Sequence, residues 1–234
     1  MSPEDIQPPD AGISPAAEIG ESRWPMALAV IAVMVMTLLT EQSLAIVPFW
    51  FPPLVYGVLL VILIIGDPGR IDKTTPWLRR TSIALVALMM VGAMGSTILL
   101  IYLILNGNSA TETAWPLLVA GGKVWLTNNV AFALLYWQFD SGGPAQRAHG
   151  MPPYPDFAFP QTFSPEFAPP GWKPQFVDYL YVGFTTANAF SPTDTMPMKS
   201  WAKLAMGTQA LISFAIVGLV LAKAVSEFGV AAPA

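Results

Sequence analysis

The sequence contains no cysteine, a single histidine and few charged residues. Without cysteine, the chain forms no disulfide and offers no thiolate nucleophile or thiolate metal ligand. One histidine, His149, does not make a multi-histidine metal or haem site. Lysine and arginine total 11 and form no patch of the kind that binds nucleic acid. We therefore expect no metal, no cofactor and no nucleic-acid partner.

The scarcity of charge indicates a membrane protein. Charged residues make up 11% of the chain, whereas soluble domains carry about 25%. Hydrophobic residues make up 54%, and the mean hydropathy is +0.54. These values predict a polytopic membrane protein that has the lipid bilayer as a partner.

The apolar stretches predict an all-α fold with five transmembrane helices and a re-entrant half-helix before the last one. The predicted spans are residues 24–47, 51–66, 81–105, 114–139 and 200–227. The first four form a membrane region over residues 24–139. The half-helix, FVDYLYVGFTTANAF, covers 176–190 and is shorter than the roughly 20 apolar residues that a bilayer crossing needs. A polar hairpin, SPTDTMP, then breaks the helix, and residues 176–228 together have the outline of a pore domain.

The segments outside the spans set the predicted topology. Residues 1–23 are acidic and contain several prolines, which predicts a flexible tail rather than a signal peptide, and residues 229–234 form a second tail. The loop 67–80 is predicted to be cytoplasmic, because basic loops stay on that side. Its basic residues are Arg70, Lys73, Arg79 and Arg80. The N-terminus is then cytoplasmic too, and the half-helix enters the membrane from the same side.

The loop 140–175 is rich in proline and in aromatic residues. Because disordered segments are poor in aromatics, we expect this loop to fold onto the bundle or to lie in the headgroup layer. It is also the segment through which another membrane protein would bind. A catalytic interpretation would use Asp140, Arg147, His149 and Asp156. No nucleophile–base pair accompanies them, so we predict a solvated loop, no catalytic residue and no enzyme.

Two predicted spans carry polar side chains at membrane depth. The fourth span contains Lys123, Thr127, Asn128 and Asn129, and the last span contains Gln209 and Ser213. Lys123 either faces the bundle interior or snorkels to the nearer interface. The two asparagines are predicted to bond to another helix. Gln209 and Ser213 share one helix face with Ala205 and either line a pore or bond to those asparagines.

Residues 184–194, FTTANAFSPTD, resemble the pore helix and filter of two-helix potassium channels. The matching residues are Thr185, Thr186 and Asp194. The filter glycines, whose carbonyls select potassium, are replaced by Ser191 and Thr193 with Pro192 between them. From Trp24 onward the chain is also similar to a family of uncharacterised bacterial membrane proteins with such a segment. This resemblance implies a bacterial inner-membrane protein with a pore-like fold.

Three functions follow as hypotheses. The first is a channel-like homo-oligomer with a weakly cation-preferring pore that is not selective for potassium. Its constriction candidates are Thr185, Thr186, Asn188, Ser191, Thr193 and Asp194. The alternative is a non-conducting scaffold that binds a membrane protein through the loop 140–175. For the scaffold, the same hydroxyls and Asp194 only cap or back-bond helices. The third, a membrane enzyme, has the weakest support.

Overall fold

The structure is a computed structural model that describes residues 20–40, 46–107, 111–152, 154–191 and 194–230. Most of the predicted acidic tail and the last four residues lie outside this part. The described chain is mostly helical, as predicted. The helices are α1 (Trp24–Leu38), α2 (Phe51–Gly66), α3 (Pro76–Asn106), α4 (Ala114–Phe139), α5 (Pro144–His149), α6 (Pro160–Phe163), α7 (Phe176–Ala189) and α8 (Ser200–Val230). The strands are β1 (Glu21–Ser22), β2 (Arg70–Ile71), β3 (Phe157–Ala158) and β4 (Met196–Pro197).

Three of these helices, α3, α4 and α8, are long and apolar enough to cross a membrane. Helices α1 and α2 are apolar too but have only 15 and 16 residues. The first span was predicted to reach Val47, whereas α1 ends at Leu38. Helix α3 begins at Pro76, five residues before the predicted start. Proline suits the first turn of a helix, and the apolar run marks only the part of α3 that follows its basic residues.

The starts of α1, α3, α7 and α8 and the end of α4 lie together at one end of the bundle. Strand β1 pairs antiparallel with β2, which brings the start of α1 next to the start of α3. The Ser82 hydroxyl donates to Gln138 Oε1 at 2.6 Å and joins α3 to the last turn of α4. The rings of Trp137 and Phe176, 5.9 Å apart, join α4 to the start of α7. We call this the basic end, because the four basic residues of the loop 67–80 lie there and are exposed.

Helices α7 and α8 run parallel from the basic end. Gln209 of α8 contacts Gly183 of α7, and Ser213 contacts Ala187, so equal steps along the two helices stay level. Helix α7 has 14 residues and α8 has 31, which correspond to about 21 Å and about 46 Å. Helix α7 therefore ends about halfway along α8. The pairing of β4 with β3 shows that the chain then returns to the basic end before α8 begins.

Helix α4 is the centre of the core. It contacts α1, α3, α7 and α8, and its second half is almost wholly buried. Small side chains at Ala131 and Ala133 alternate with the large rings of Phe132, Tyr136 and Trp137, none of which is more than 2% exposed. In α8, by contrast, only 28% of the most apolar stretch of 18 residues is buried. One face of α8 is therefore left without a partner among the described residues.

Candidate functional site

The candidate site is α7 together with the chain that follows it, held between α4 and α8. Gly183 permits the close approach of α7 to α4. A Cβ at this residue would lie 3.2 Å from the backbone oxygen of Asn129 and 3.4 Å from Cβ of Ala133. The first distance is tighter than ordinary van der Waals contact, so a larger residue would push the two helices apart.

Gln209 fixes α7 against α8. Its amide nitrogen donates to the Gly183 carbonyl oxygen at 2.8 Å and to Asn129 Oδ1 at 3.3 Å. Its amide oxygen accepts a hydrogen bond of 2.6 Å from the Tyr136 hydroxyl. Gln209 is 1% exposed, and its bonds reach two other helices, α4 and α7. Gln209 was predicted either to line a pore or to bond to the asparagines of α4. The structure favours bonding between helices within the chain.

Ser213 holds the last turn of α7. Its hydroxyl donates to the Ala187 carbonyl oxygen at 2.9 Å and accepts from the Trp125 indole nitrogen at 2.6 Å. The final carbonyls of a helix have no partner within the helix, so this bond satisfies one of them. Gln209 and Ser213 therefore hold the second half of α7 against α8.

The two asparagines of α4 bond to other helices, as the sequence predicts. Asn128 donates to the Thr97 hydroxyl of α3 at 2.7 Å, and Asn129 accepts from Gln209 of α8. Both residues are 4% exposed. Hydrogen bonds of this kind are modest in strength but orient helices in an apolar surrounding.

The first two constriction candidates are turned into α7 or its neighbours. The Thr185 hydroxyl donates within its own helix, with the Tyr181 and Val182 carbonyl oxygens at 2.9 and 3.2 Å. Thr186 is 1% exposed, and its hydroxyl has no hydrogen-bond partner among the described residues. The structure therefore places these two threonines in helix packing within a single chain.

Of the other candidates, Asn188 and Ser191 lie at the tip of α7, whereas Asp194 lies on the returning chain, two residues before β4. Asn188, Ser191 and Asp194 are exposed, while Thr193 is outside the described residues. The Asn188 amide donates to a carbonyl one turn earlier in the helix, at 2.9 Å. Phe190 ends the helix in a left-handed conformation, with φ 54°, and is among the exposed large hydrophobic residues. The tip is thus the polar, uncovered part of the site.

The base of α7 holds a buried polar network, contrary to the predicted solvated loop. Asp140 is fully buried and Arg147 is 2% exposed. The Asp140 carboxylate accepts from the Tyr179 hydroxyl and from the backbone N–H groups of Asp156 and Phe157, at 3.0 and 3.3 Å. The aromatic loop has folded onto the bundle and delivers these donors. The prediction of a solvated site was wrong because this folding removes water from both residues.

Arg147 ties the network together. Its guanidinium donates to the carbonyl oxygens of Trp137 and Asp140, both at 2.8 Å, and to Glu21 Oε1 at 3.3 Å. It also lies 4.9 Å from the centre of the Tyr179 ring, a cation–π distance. His149, the remaining member of the proposed catalytic group, is exposed and bonds to a carbonyl elsewhere. The four residues therefore do not form one catalytic group.

Glu21 connects the N-terminal region to the base of α7. Its carboxylate accepts from the Trp137 indole nitrogen at 2.6 Å and from the Phe176 backbone N–H at 2.8 Å. The carboxylate thus supplies one of the first N–H groups of α7 with a partner. Burial raises the pKa of Glu21 above its ordinary value of 4.5, and it outweighs the attraction of Arg147 and these hydrogen bonds.

The second acidic residue of the loop, Asp156, closes the network on the side of α8. Its carboxylate pairs with Lys199 and accepts from the Trp201 indole nitrogen at 3.3 Å. Among the described residues, no group of three or more acidic or histidine side chains is placed to hold a metal ion. The hydrogen bonds and ion pairs of the network hold the aromatic loop, α4, α7 and α8 together.

Comparison of the chain with protein-family models, with curated proteins and with solved structures finds no match. The resemblance of residues 184–194 to a potassium-channel pore therefore stays a prediction.

Proposed function

We propose that this protein is a channel-like membrane protein that works as a homo-oligomer. In this proposal α7 is a re-entrant half-helix, and five helices (α1–α4 and α8) lie in a bacterial inner membrane with the basic end in the cytoplasm. The observation that carries the proposal is the parallel start of α7 and α8, with α7 ending about halfway along α8. A half-helix followed by a returning chain and a full-length helix is the arrangement of a pore domain.

The exposed tip supports an oligomer. Non-helical backbone at membrane depth is tolerated only where protein buries it or water surrounds it. Asn188 and Ser191 lie at the end of α7, about 21 Å from the basic end, and both are exposed in the single chain. Copies of the chain around a water-filled axis would give these groups both protein and water. The unpartnered face of α8 is available for the same assembly.

Negative charge at the end of α7 and on the chain that returns from it favours cations. Asp194 is exposed, and in an oligomer its carboxylates would form a ring of negative charge. The carbonyl end of α7 also points towards the tip, and the C-terminal end of a helix carries partial negative charge. Serine and threonine in place of the filter glycines leave no carbonyl cage for dehydrated potassium. We propose a weak cation preference without selectivity for potassium.

The alternative is a non-conducting scaffold with the same fold. The inward-turned hydroxyls of Thr185 and Thr186 favour it, because they bring no polar group to a channel lumen. In a scaffold a partner protein would cover the tip and the loop 140–175. Neither proposal gives the protein an enzymatic activity.

Cysteine labelling tests whether the tip is in water. Because the chain has no cysteine, Asn188→Cys and Ser191→Cys each introduce a unique thiol. Ser164→Cys in the loop and Ser226→Cys near the far end of α8 serve as controls for the two sides. A membrane-impermeant reagent should label the tip from the side that labels Ser164→Cys. A tip that stays unlabelled while both controls react would contradict the pore.

Ion flux in liposomes separates the channel from the scaffold. We expect cation flux in the wild type, block of that flux when the thiol at residue 188 is modified, and loss of cation preference in Asp194→Asn. Glu166→Gln removes an exposed carboxylate elsewhere in the loop and should leave flux unchanged. A labelled tip without any flux would favour the scaffold.

A further inference from the structure

A cavity of about 230 Å³ lies away from α7 and α8, at the tip of the hairpin formed by α1 and α2. This hairpin is short, with 15 and 16 residues in its helices against 31 in α3. The hairpin therefore ends before α3 and α4 do. The cavity lies beyond the tip of the hairpin, beside the part of α3 and α4 that continues. Most of its wall is apolar, and its polar members are Thr37, Thr40, Ser96, Lys123 and Thr127.

Lys123 of α4 is the charged residue in the lining of this cavity. Its Nζ donates to the Leu39 carbonyl oxygen, just after the end of α1, at 2.6 Å. An ammonium group has three N–H donors, and no further partner of Lys123 lies among the described residues. Charged side chains at membrane depth usually face a cavity or a partner. Among the described residues, two of these three N–H donors thus have no partner, and the cavity wall is mostly apolar.

Small residues of α3 form part of the cavity wall and let neighbouring side chains approach closely. A Cβ at Gly95 would lie 2.9 Å from Cδ1 of Ile46, and a Cβ at Gly92 would lie 2.5 Å from the Tyr56 hydroxyl. Ser96 completes this small-residue wall on the same helix. The sequence predicts close helix packing from such residues. At Ser96, which lines the cavity, a larger side chain would take up part of its volume.

We propose that the cavity binds an anionic amphiphile, meaning one alkyl chain that ends in a carboxylate or phosphate head group. The head group pairs with Lys123, and Ser96 and Thr127 offer hydroxyl donors beside it. The chain lies along the apolar wall. Sites for drug-sized molecules measure about 300–1,000 Å³, so this cavity takes part of a single chain rather than a whole two-chain lipid.

A purely structural role for Lys123 makes a different prediction. A cation near the C-terminus of a helix stabilises it through the last carbonyls and the helix dipole, and Lys123 does this for α1. This role needs no ligand and gives the cavity no preference for the charge of an amphiphile. Binding measurements on the full-length protein therefore distinguish the two.

The test is equilibrium binding of dodecanoate to the purified protein in a non-ionic detergent. We expect saturable binding by the wild type and binding more than about tenfold weaker for dodecanol, which has the same chain without the charge. Lys123→Gln should weaken dodecanoate binding to the level of dodecanol. Equal binding of the two probes, or unchanged binding in Lys123→Gln, would overturn the proposal.

Two further variants guard against unfolding as an explanation. Ser96→Leu fills the cavity and keeps the charge, so it should also lose dodecanoate binding. Lys203→Gln removes an exposed charge at the start of α8 and should bind dodecanoate like the wild type. Retention of binding in Ser96→Leu would show that the probe binds elsewhere and would refute the site.

Competition by phospholipids identifies the source of the head group. Displacement of dodecanoate by the one-chain lipid lysophosphatidylglycerol but not by lysophosphatidylcholine supports an anionic one-chain membrane lipid as the occupant. Displacement by neither supports a free fatty acid. Equal displacement by both would mean that charge plays no part, which contradicts the proposal.

Discussion

The two ends of α7 are built in opposite ways. At its base, buried groups from the N-terminal region, from α4 and from the aromatic loop converge, and Glu21, Asp140 and Arg147 each make several hydrogen bonds. At its tip, Asn188 and Ser191 are exposed, and the Asn188 amide bonds only to its own helix among the described residues. The base therefore fixes α7 within the chain. The tip is left for water or for another molecule.

The contrast between the buried base and the exposed tip separates residues expected to stabilise the fold from residues expected to act in function. A polar group that is buried and fully bonded mainly stabilises the fold, and its removal is costly. A polar group that is exposed at membrane depth has no such role within the chain and needs an external partner. Substitutions at the base should change stability, and substitutions at the tip should change activity.

The largest effect is expected at the base, for Arg147→Met. The variant keeps an apolar stem but leaves the Trp137 and Asp140 carbonyl oxygens and the Glu21 carboxylate without their shared donor. Breaking a buried ion pair costs about 3–5 kcal/mol. Unfolding of the full-length protein in mixed micelles measures the loss. Arg79→Met, at an exposed residue of the basic end, is the control and should lie within about 0.5 kcal/mol of the wild type.

The second effect concerns the middle of α7 and uses a pair of glycines. Gly183→Ala places a Cβ 3.2 Å from the Asn129 carbonyl oxygen and should destabilise by about 1–3 kcal/mol. Gly207→Ala in α8 meets nothing within 4 Å and should stabilise by about 0.5–1 kcal/mol, because alanine loses less backbone entropy in a helix. The change in the free energy of unfolding should therefore have opposite signs for the two variants. Equal values for the two variants would mean that α7 is not held closely against α4.

A third test follows the pH dependence of the base. The raised pKa of Glu21 means that the folded protein binds its proton more tightly than the unfolded chain. Glu21 therefore makes the free energy of unfolding fall as the pH rises above about 4.5, until its raised pKa is passed. Glu21→Gln should lack this fall, which appears as the difference between the two pH profiles. Glu166→Gln should reproduce the wild-type pH profile. If Glu21→Gln also reproduced it, the assignment of the pH dependence to Glu21 would be refuted.

The smallest stability effect is expected at the tip. Asn188→Ala removes an exposed amide that bonds only to its own helix, so the free energy of unfolding should change by less than about 0.5 kcal/mol. In the channel proposal the same variant changes ion flux in liposomes. A large loss of stability would remove the contrast between the two ends of α7.

The helices were largely predictable from the sequence, because apolar runs and prolines are local signals. The predicted bounds of α2 and α4 agree with the structure, and the half-helix ends within one residue of Phe190. The end of α1 was missed, because the apolar residues 44–47, which follow the polar stretch 40–43, were assigned to the same span, whereas α1 ends at Leu38. Local patterns report composition, and the end of an apolar helix depends on its neighbours.

The buried base was not predictable in the same way. Arg147 and Glu21 are 126 residues apart, and nothing local in either segment announces the other. Proline and aromatic residues in the loop 140–175 predict only that the loop contacts the bundle. Gly183 likewise has no special local pattern, and its role depends on the position of α4. Such features follow from tertiary packing and need a structure to find them.

The hydrogen bonds of Glu21 also impose an order on biosynthesis. Its partners Trp137, Arg147 and Phe176 follow it by 116, 126 and 155 residues. Because the chain leaves the ribosome from its N-terminus, the first three helices are made long before the groups that satisfy this carboxylate. Contacts of such high sequence separation form slowly. We expect the docking of α7 to be the late step of folding, and nascent chains that stop before Phe176 to keep Glu21 accessible to water.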